Sequence, residues 1–232
     1  MSGNILTFIL LSDLVITLAF LAMAFRFWQV FRKIPEKISK FFFYFALFLA
    51  ISFFLIVLCV IFDSAVLLIL ALFLMLFSWS SLGYLIFYLK FPRLPARYGF
   101  LLVFILGIIT LLLTLFFPMV RHLEPTSGKV VFALHPVIGG LYFFIIIMTA
   151  LPMGIIFIQK GLSLPPSPEK TKVYGLGIIL FLGIITAFFY SLSSVYLPHS
   201  PYFFFLTIVW AIIIFGVTFF TQKPPPSYVK KI

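Results

Sequence analysis

Seven long apolar stretches, separated by short polar segments, constrain this chain more than any other feature of its sequence. About 20 apolar residues in a helix rise far enough to cross the roughly 30 Å hydrocarbon core of a bilayer. Helices are expected because a backbone amide left unpaired in lipid costs several kcal/mol, and a helix pairs its own amides. The sequence therefore predicts an all-α, polytopic membrane protein, a bundle of seven transmembrane helices at residues 5–25, 41–62, 65–89, 98–118, 131–158, 173–197 and 202–221.

The composition agrees with a chain dissolved in lipid. Hydrophobic residues make up 64% of it and charged residues 9%, whereas a soluble domain is about 25% charged. We expect one transmembrane domain over residues 1–222 and a short basic, proline-rich cytoplasmic tail over 223–232. The first helix lacks a preceding basic segment and is too long for a cleavable signal, so it is predicted to be a retained anchor.

The lysine and arginine residues predict the orientation of the bundle. Fourteen of the sixteen fall in alternate connections and after the last helix, and only Arg121 and Lys129 fall in the others. Short loops rich in lysine and arginine stay in the cytoplasm. The N-terminus is therefore predicted outside and the C-terminus inside, in the cell (cytoplasmic or inner) membrane. The fourteen are Arg26, Arg32, Lys33, Lys37, Lys40, Lys90, Arg93, Arg97, Lys160, Lys170, Lys172, Lys223, Lys230 and Lys231.

The net charge of +11 does not indicate a nucleic-acid partner, because topology already accounts for where the basic residues lie. The predicted partners are the lipid bilayer, with attraction to anionic lipid at the inner face, and another membrane or cytoplasmic signalling protein. Cys59 is the only cysteine. A single cysteine cannot form an intramolecular disulfide. Its apolar neighbours predict a buried thiol that serves in packing.

Asp13 is the one acidic residue inside a predicted span. It lies eight residues past Ile5, about 12 Å below the outer boundary. A charge there costs at least about 2.5–3.5 kcal/mol on insertion scales, so the side chain should face the bundle interior, be protonated or have a partner. Ser12 is adjacent and Thr17 lies one turn below on the same face. Asp13 is either a functional group or a neutral, hydrogen-bonded packing group.

His135 and Tyr190 complete the candidate ligand-binding site in the predicted outer half. His135, four residues into the fifth predicted span and about 6 Å below its boundary, is the candidate partner of Asp13, with an interfacial histidine as the alternative. Tyr190 lies with several serines in the sixth span. Small polar residues commonly allow helices to approach each other and hydrogen-bond, so a packing role is the alternative for these positions.

Two further patterns predict how the helices pack. Gly183, Ala187 and Ser191 recur every four residues and form a small-residue stripe that predicts a helix–helix contact. Pro152 and Gly154 are expected to kink the fifth helix and to free backbone carbonyls that can line a cavity. In the third helix, the run from Ser78 to Tyr84 places several polar groups inside the membrane.

No enzyme, metal site or cofactor is predicted. The sequence lacks a zinc-protease motif, a nucleotide-binding glycine loop and a nucleophile elbow. A retinal protein needs a lysine in the middle of its last helix, and the seventh span has none. A metal site from His122, Glu124, His135 and His199 is a minor alternative, because only His122 and Glu124 have a spacing that suits a pair of ligands.

The chain resembles the seven-helix sensory region at the N-terminus of many bacterial histidine kinases. The resemblance rests on Gly139-Gly140-Leu141-Tyr142 in the fifth helix, Tyr174-Gly175-Leu176-Gly177 in the sixth, Trp210 in the last, Pro35-Glu36-Lys37 before the second and the basic stretch 90–97. It implies a sensory input module. Unlike that family, the last helix is followed by Pro224-Pro225-Pro226, which lack helix-forming amide protons. No signalling helix or kinase module is therefore expected to continue.

Three functions agree with these features. The first is a stand-alone membrane sensory or accessory module that binds a ligand or lipid in its outer half and signals to a separate partner. The second is a small transporter or proton-coupled subunit that uses Asp13, although a proton relay normally needs several ionisable groups. The third is a structural subunit of a membrane complex.

Overall fold

The computed structural model describes residues 5–123, 130–193 and 201–219, and within these ranges the chain forms seven helices and one small β-hairpin. The predicted all-α fold is confirmed. Among the described residues, five helices are long and apolar enough to cross a membrane, and two apolar helices, at 97–113 and 206–219, are shorter. The elements are α1 Ile5–Lys33, α2 Lys37–Phe62, α3 Ala65–Lys90, α4 Arg97–Leu113, β1 Val120–Leu123, β2 Val130–Ala133, α5 Pro136–Ser163, α6 Pro168–Ser193 and α7 Pro201–Phe219.

The structure differs from the prediction around the hairpin. Residue 131, the predicted start of the fifth span, lies in β2, which pairs antiparallel with β1 and places Val120 opposite Ala133. α5 begins only at Pro136. Proline suits the first position of a helix because its missing amide proton would be unpaired there, and it disfavours helical backbone at the preceding His135. The β-branched and aromatic residues of β2 favour the extended form.

Six of the helices close into a ring. Helices adjacent in sequence pack together from α1 to α4 and from α5 to α7, α3 also contacts α5, and α1 contacts α7. α4 packs against α3 and α5, which touch each other, so α4 stands outside the ring. Its buried positions are confined to one face, formed by Gly99, Val103, Gly107 and Thr110.

Helices adjacent in sequence run in alternate directions, so α1 and α7, like α3 and α5, run parallel. In α1 and α2, Phe20 stacks on Phe53 and Phe27 stacks on Phe42, so the residue number rises along one helix as it falls along the other. α3 and α5 run parallel, since residues near the start of each share one buried cluster. One end of the bundle therefore carries the α1–α2, α3–α4 and α5–α6 connections, with residues 34–36, 91–96 and 164–167; we call it the basic end. The hairpin lies at the opposite end.

An aromatic cluster fills the centre of the ring. Phe20 of α1 lies 5.2 Å from Trp210 of α7 and 6.2 Å from Phe45 of α2, measured between ring centroids. Phe45 in turn contacts Trp79 of α3 at 5.6 Å. Edge-to-face pairs of this kind stabilise by about 0.5–1.5 kcal/mol beyond the burial of their area. The cluster joins four helices at one level.

Glycines set the spacing of the outer helix. A Cβ atom added to Gly83 of α3 would lie 2.6 Å from the backbone oxygen of Gly99 in α4, so the two backbones touch. One added to Gly107 would meet the side chain of Leu76. Without a hydrophobic driving force in lipid, such close approach is how helices gain packing energy.

The predicted small-residue stripe on α6 is confirmed at Gly183. A Cβ there would lie 3.0 Å from the Trp210 ring of α7, and Ala187 packs against the central cluster. The side chain of Ser191 lies outside the described residues. Trp210 also donates a hydrogen bond from Nε1 to the backbone oxygen of Ile179 at 2.9 Å. The absence of a side chain at Gly183 thus lets the indole reach the α6 backbone.

Candidate functional site

Asp13 is buried inside the bundle. Its side chain is 1% exposed, and α1, which carries it, packs between α2 and α7. Ser12 and Thr17 are buried as well, and Thr17 Oγ1 donates a hydrogen bond to the backbone oxygen of Asp13 at 2.7 Å. The sequence-based expectation that Asp13 faces the interior is confirmed. A carboxyl group in this position is coupled to the packing of α1, because any change in its charge must be solvated by its neighbours.

The polar groups near Asp13 form a layer next to the aromatic cluster. Phe20 and Trp210 are in contact. The buried Thr17 precedes Phe20 by three residues, and the buried Thr207 precedes Trp210 by three residues. Because α1 and α7 run parallel, the two hydroxyl groups lie at about the same height, about 4.5 Å from the aromatic cluster. Asp13 lies one turn further toward the hairpin end. The α1–α7 contact is therefore the place where polar and apolar packing meet.

A second group of polar atoms lies on α3, where the sequence predicted them. Ser78 Oγ donates to the backbone oxygen of Phe45 at 2.8 Å and so links α3 to α2. Trp79 Nε1 and Ser80 Oγ are buried, and within the described part of the chain they have no hydrogen-bond partner. Buried polar atoms are normally paired, by protein or by water. These two atoms are therefore exceptions to the usual pairing of buried polar groups.

Tyr142 is a buried polar residue that is not among the predicted site residues. Its side chain is 4% exposed and packs with Leu68, Leu72 and Ile138. Its hydroxyl group has no hydrogen-bond partner among residues 5–123, 130–193 and 201–219. The signal that could have found it is helical spacing, since Tyr142 lies four residues after Ile138 on the buried face of α5.

His135 lies at the end of α5. It is the N-cap residue, and its Nδ1 accepts a hydrogen bond from the backbone nitrogen of Val137 at 3.3 Å. Its ring packs 5.0 Å from that of Phe117. It therefore lies at the helix terminus rather than four residues into a helix, because Pro136 starts α5 later than predicted.

The structure does not bring Asp13 and His135 together. α1 packs against α2 and α7, whereas α5 packs against α3, α4 and α6. Tyr190 belongs to α6, but its side chain lies outside the described residues, as do Glu124 and His199. The described residues contain no group of three or more histidine, cysteine, aspartate or glutamate side chains able to hold a metal ion.

An apolar cavity of about 80 Å³ lies between α3, α4 and α5. Among the described residues that line it, only Thr149 has a hydroxyl group, which donates to the backbone oxygens of Ile145 and Ile146 at 2.9 and 3.2 Å. Met148, whose carbonyl cannot receive the usual helical bond because Pro152 lacks an amide proton, is also in the wall. The lining residues are Gly83, Ile86, Phe87, Gly99, Leu102, Val103, Leu106, Ile145, Met148 and Thr149.

Comparison of the sequence with protein-family models and with curated proteins finds no match. The buried carboxyl group and the polar groups around it are thus the chemical evidence on which a functional proposal rests.

Proposed function

We propose that this protein is a stand-alone sensory or accessory module of the cell membrane. In this proposal the chain crosses the bilayer seven times, with its N-terminus outside and its C-terminus in the cytoplasm. The alternation of basic connections in the sequence supports this topology, as does the alternating direction of the helices. The α1–α2, α3–α4 and α5–α6 connections would all lie in the cytoplasm.

The burial of Asp13 on α1, which packs against α2 and α7, carries the proposal. A ligand or lipid that binds in the half of the bundle near the hairpin changes the environment of this carboxyl group. The position of α1 against α7 shifts with it, because the two helices meet at a polar layer next to Phe20 and Trp210. A ligand moves such an equilibrium only by its difference in affinity for the two packings. A separate membrane or cytoplasmic partner then responds to the displaced helix ends.

A proton-coupled transporter is the second candidate, and the same burial favours it. An acid inside the membrane is the kind of group that takes up and releases a proton in pumps and transporters. In that case Asp13 would exchange its proton with the two sides of the membrane in turn. The resemblance to sensory regions of histidine kinases favours the first candidate.

The test is Asp13→Asn, which keeps the shape of the side chain and removes its charge. Asp63→Asn is the matched control, because Asp63 is exposed at the end of α2 and its left-handed backbone (φ 49°) suits asparagine. Spin labels at Lys33→Cys and Phe219→Cys, in a Cys59→Ser background, report the distance between the basic ends of α1 and α7.

We expect the label distance of the parent protein to change between acidic and neutral pH. Asp13→Asn should abolish that change and Asp63→Asn should leave it intact. Proton uptake by reconstituted vesicles that is lost in Asp13→Asn would instead favour the transporter. If Asp13→Asn changed only thermal stability, both candidates would be rejected and a structural subunit would remain.

A further inference from the structure

Two basic side chains at the basic end extend from the buried faces of their helices. Arg26 follows the buried residues Ala19 and Met23 by seven and three positions, so it continues the buried face of α1 by one turn. Lys172 precedes the buried Ile179 of α6 by seven positions and is on the same face. Both side chains are partly buried. The inward faces of two helices therefore each end in a cation.

Both cations lie at the basic end, and among the described residues Lys172 has one carboxylate near it, that of Glu169. Arg26 is close enough to repel the charge of Lys172, while Glu169 in the first turn of α6 attracts it. Arg26 Nη1 donates to Gln29 Oε1 at 2.7 Å. Its Nε is buried and, within the described ranges, has no hydrogen-bond partner. An arginine side chain does not lose its proton in proteins, so its charge must be met by an acceptor.

We propose that Arg26 and Lys172 bind a phosphate group at the basic end of the bundle. A guanidinium group presents a planar fork of donors that matches two phosphate oxygens, and a lysine adds a point charge. The N-terminal turn of α6 begins at Pro168 and adds the positive end of a helix dipole. Glu169 offsets one of the two positive charges, which leaves the site cationic.

Either of two sources can supply this phosphate: the headgroup of an anionic membrane lipid or a free phosphate ion. The site is separate from the proposed role of Asp13. Arg26 follows Asp13 by thirteen residues, which places it about 20 Å away along α1.

The experiment measures binding to the full chain purified in uncharged maltoside micelles at constant ionic strength. Thermal unfolding is followed during titration with phosphatidylglycerol, with phosphatidylcholine and with inorganic phosphate against chloride. We expect phosphatidylglycerol or inorganic phosphate to raise the unfolding temperature of the parent protein. Arg26→Gln/Lys172→Gln should weaken the apparent affinity by about tenfold or more, because charge-assisted bonds are lost.

Arg32→Gln/Lys33→Gln is the matched control, since it removes two exposed charges from the same helix. It should weaken binding by only about twofold, because exposed charges contribute little. Equal losses in the two double variants would show general surface attraction and overturn the site. Unchanged binding in Arg26→Gln/Lys172→Gln would overturn it too, as would a parent protein that responds to neither probe.

If the double variant does not fold, the single variant Arg26→Lys tests the same site. It keeps the charge and removes the planar fork, so weaker binding is expected and unchanged binding would contradict the proposal. If the parent protein responds to inorganic phosphate alone, and Arg26→Gln/Lys172→Gln loses that response, the site is supported and its ligand is a free phosphate ion. A response to phosphatidylglycerol alone would support it and identify the lipid.

Discussion

Replacing Gly83 with alanine tests the backbone contact that holds α4 against α3. The new Cβ atom would lie 2.6 Å from the backbone oxygen of Gly99 and 2.7 Å from Cγ2 of Val103. Even a carbon that donates a weak hydrogen bond stays about 3.3 Å from an oxygen, so the helices must separate by about 0.7 Å. The nearest obstacle is backbone, so no side-chain rotation relieves it.

The cost follows from two opposing effects. Overpacking of a close contact destabilises by about 1–3 kcal/mol, and a clash with backbone belongs in the upper part of that range. Exchange of glycine for alanine in a helix by itself raises the free energy of unfolding by about 0.8–1.0 kcal/mol. We therefore expect Gly83→Ala to lower the free energy of unfolding by about 1–2 kcal/mol.

Gly140 provides the matched control. It lies in α5, and a Cβ atom added there would meet nothing within 4 Å. Gly140→Ala should therefore gain up to about 1 kcal/mol, and the two alanine variants should differ by about 2–3 kcal/mol.

The assay is equilibrium unfolding by dodecyl sulfate in mixed micelles, followed by tryptophan fluorescence and circular dichroism. If Gly83→Ala and Gly140→Ala unfold within about 0.5 kcal/mol of each other, which is the scale of a neutral surface substitution, the contact between the helices is not as close as described. Gly99→Ala adds a check. Because it disturbs the same contact, the double variant with Gly83→Ala should lose less than the sum of the single losses.

Two further substitutions and one labelling experiment test the interior. Trp210→Phe removes the hydrogen bond to the Ile179 carbonyl and should destabilise by about 1–3 kcal/mol in the same assay. Ser78→Ala removes the bond to the Phe45 carbonyl and should cost about 0.6 kcal/mol and at most about 1.7 kcal/mol, the average and the maximum for hydrogen bonds between membrane helices. Cys59, which is buried, should resist maleimide in the folded protein and react once dodecyl sulfate unfolds it, as mass spectrometry would detect.

Controls for these changes come from exposed positions. Trp28 is 40% exposed, so Trp28→Phe should be nearly neutral. Ser163 donates a hydrogen bond to the backbone oxygen of Lys160 in its own helix, so Ser163→Ala removes no bond between helices of the described part of the chain. Losses at Trp28 or Ser163 as large as those at the buried positions would refute the assignment of these interhelical bonds. Fast labelling of Cys59 in the folded protein would show that the α2–α3 interface opens readily.

The helix positions could be predicted because length and hydropathy decide them locally. The predicted break at Asp63-Ser64 agrees with the end of α2 at Phe62 and the start of α3 at Ala65. Asp63 adopts a left-handed backbone with φ 49°, which aspartate tolerates better than most residues. A helix end set by such a residue can be predicted from the sequence nearby.

The hairpin could not be predicted in the same way because strand pairing is not local. Val131, Phe132 and Ala133 continue an apolar run and look like the start of a helix, but their hydrogen-bond partners lie in residues 120–122. Only Pro136 indicated a later helix start. The depth assigned to His135 depended on that boundary and changed with it.

The neighbours of Asp13 could not be predicted from the sequence either. Hydropathy shows that a helix is apolar but not which helix it touches, and the hypothesis of an Asp13–His135 pair needed α1 beside α5. The ring order instead places α1 between α2 and α7. For the same reason the burial of Tyr142, whose hydroxyl group lacks a partner among the described residues, was not foreseen.

The two ionisable side chains on the buried side of α1 cannot neutralise each other. Asp13 and Arg26 are about 20 Å apart along the helix axis. At an effective dielectric constant of about 20, that distance leaves less than about 1 kcal/mol of attraction, far below the cost of burying either charge alone. Each must therefore be satisfied where it lies: Asp13 by its neighbours inside the bundle, and Arg26 by the proposed anion at the basic end. A substitution at one site should consequently leave the other intact, so Asp13→Asn is expected to retain the phosphate response and Arg26→Gln the pH response.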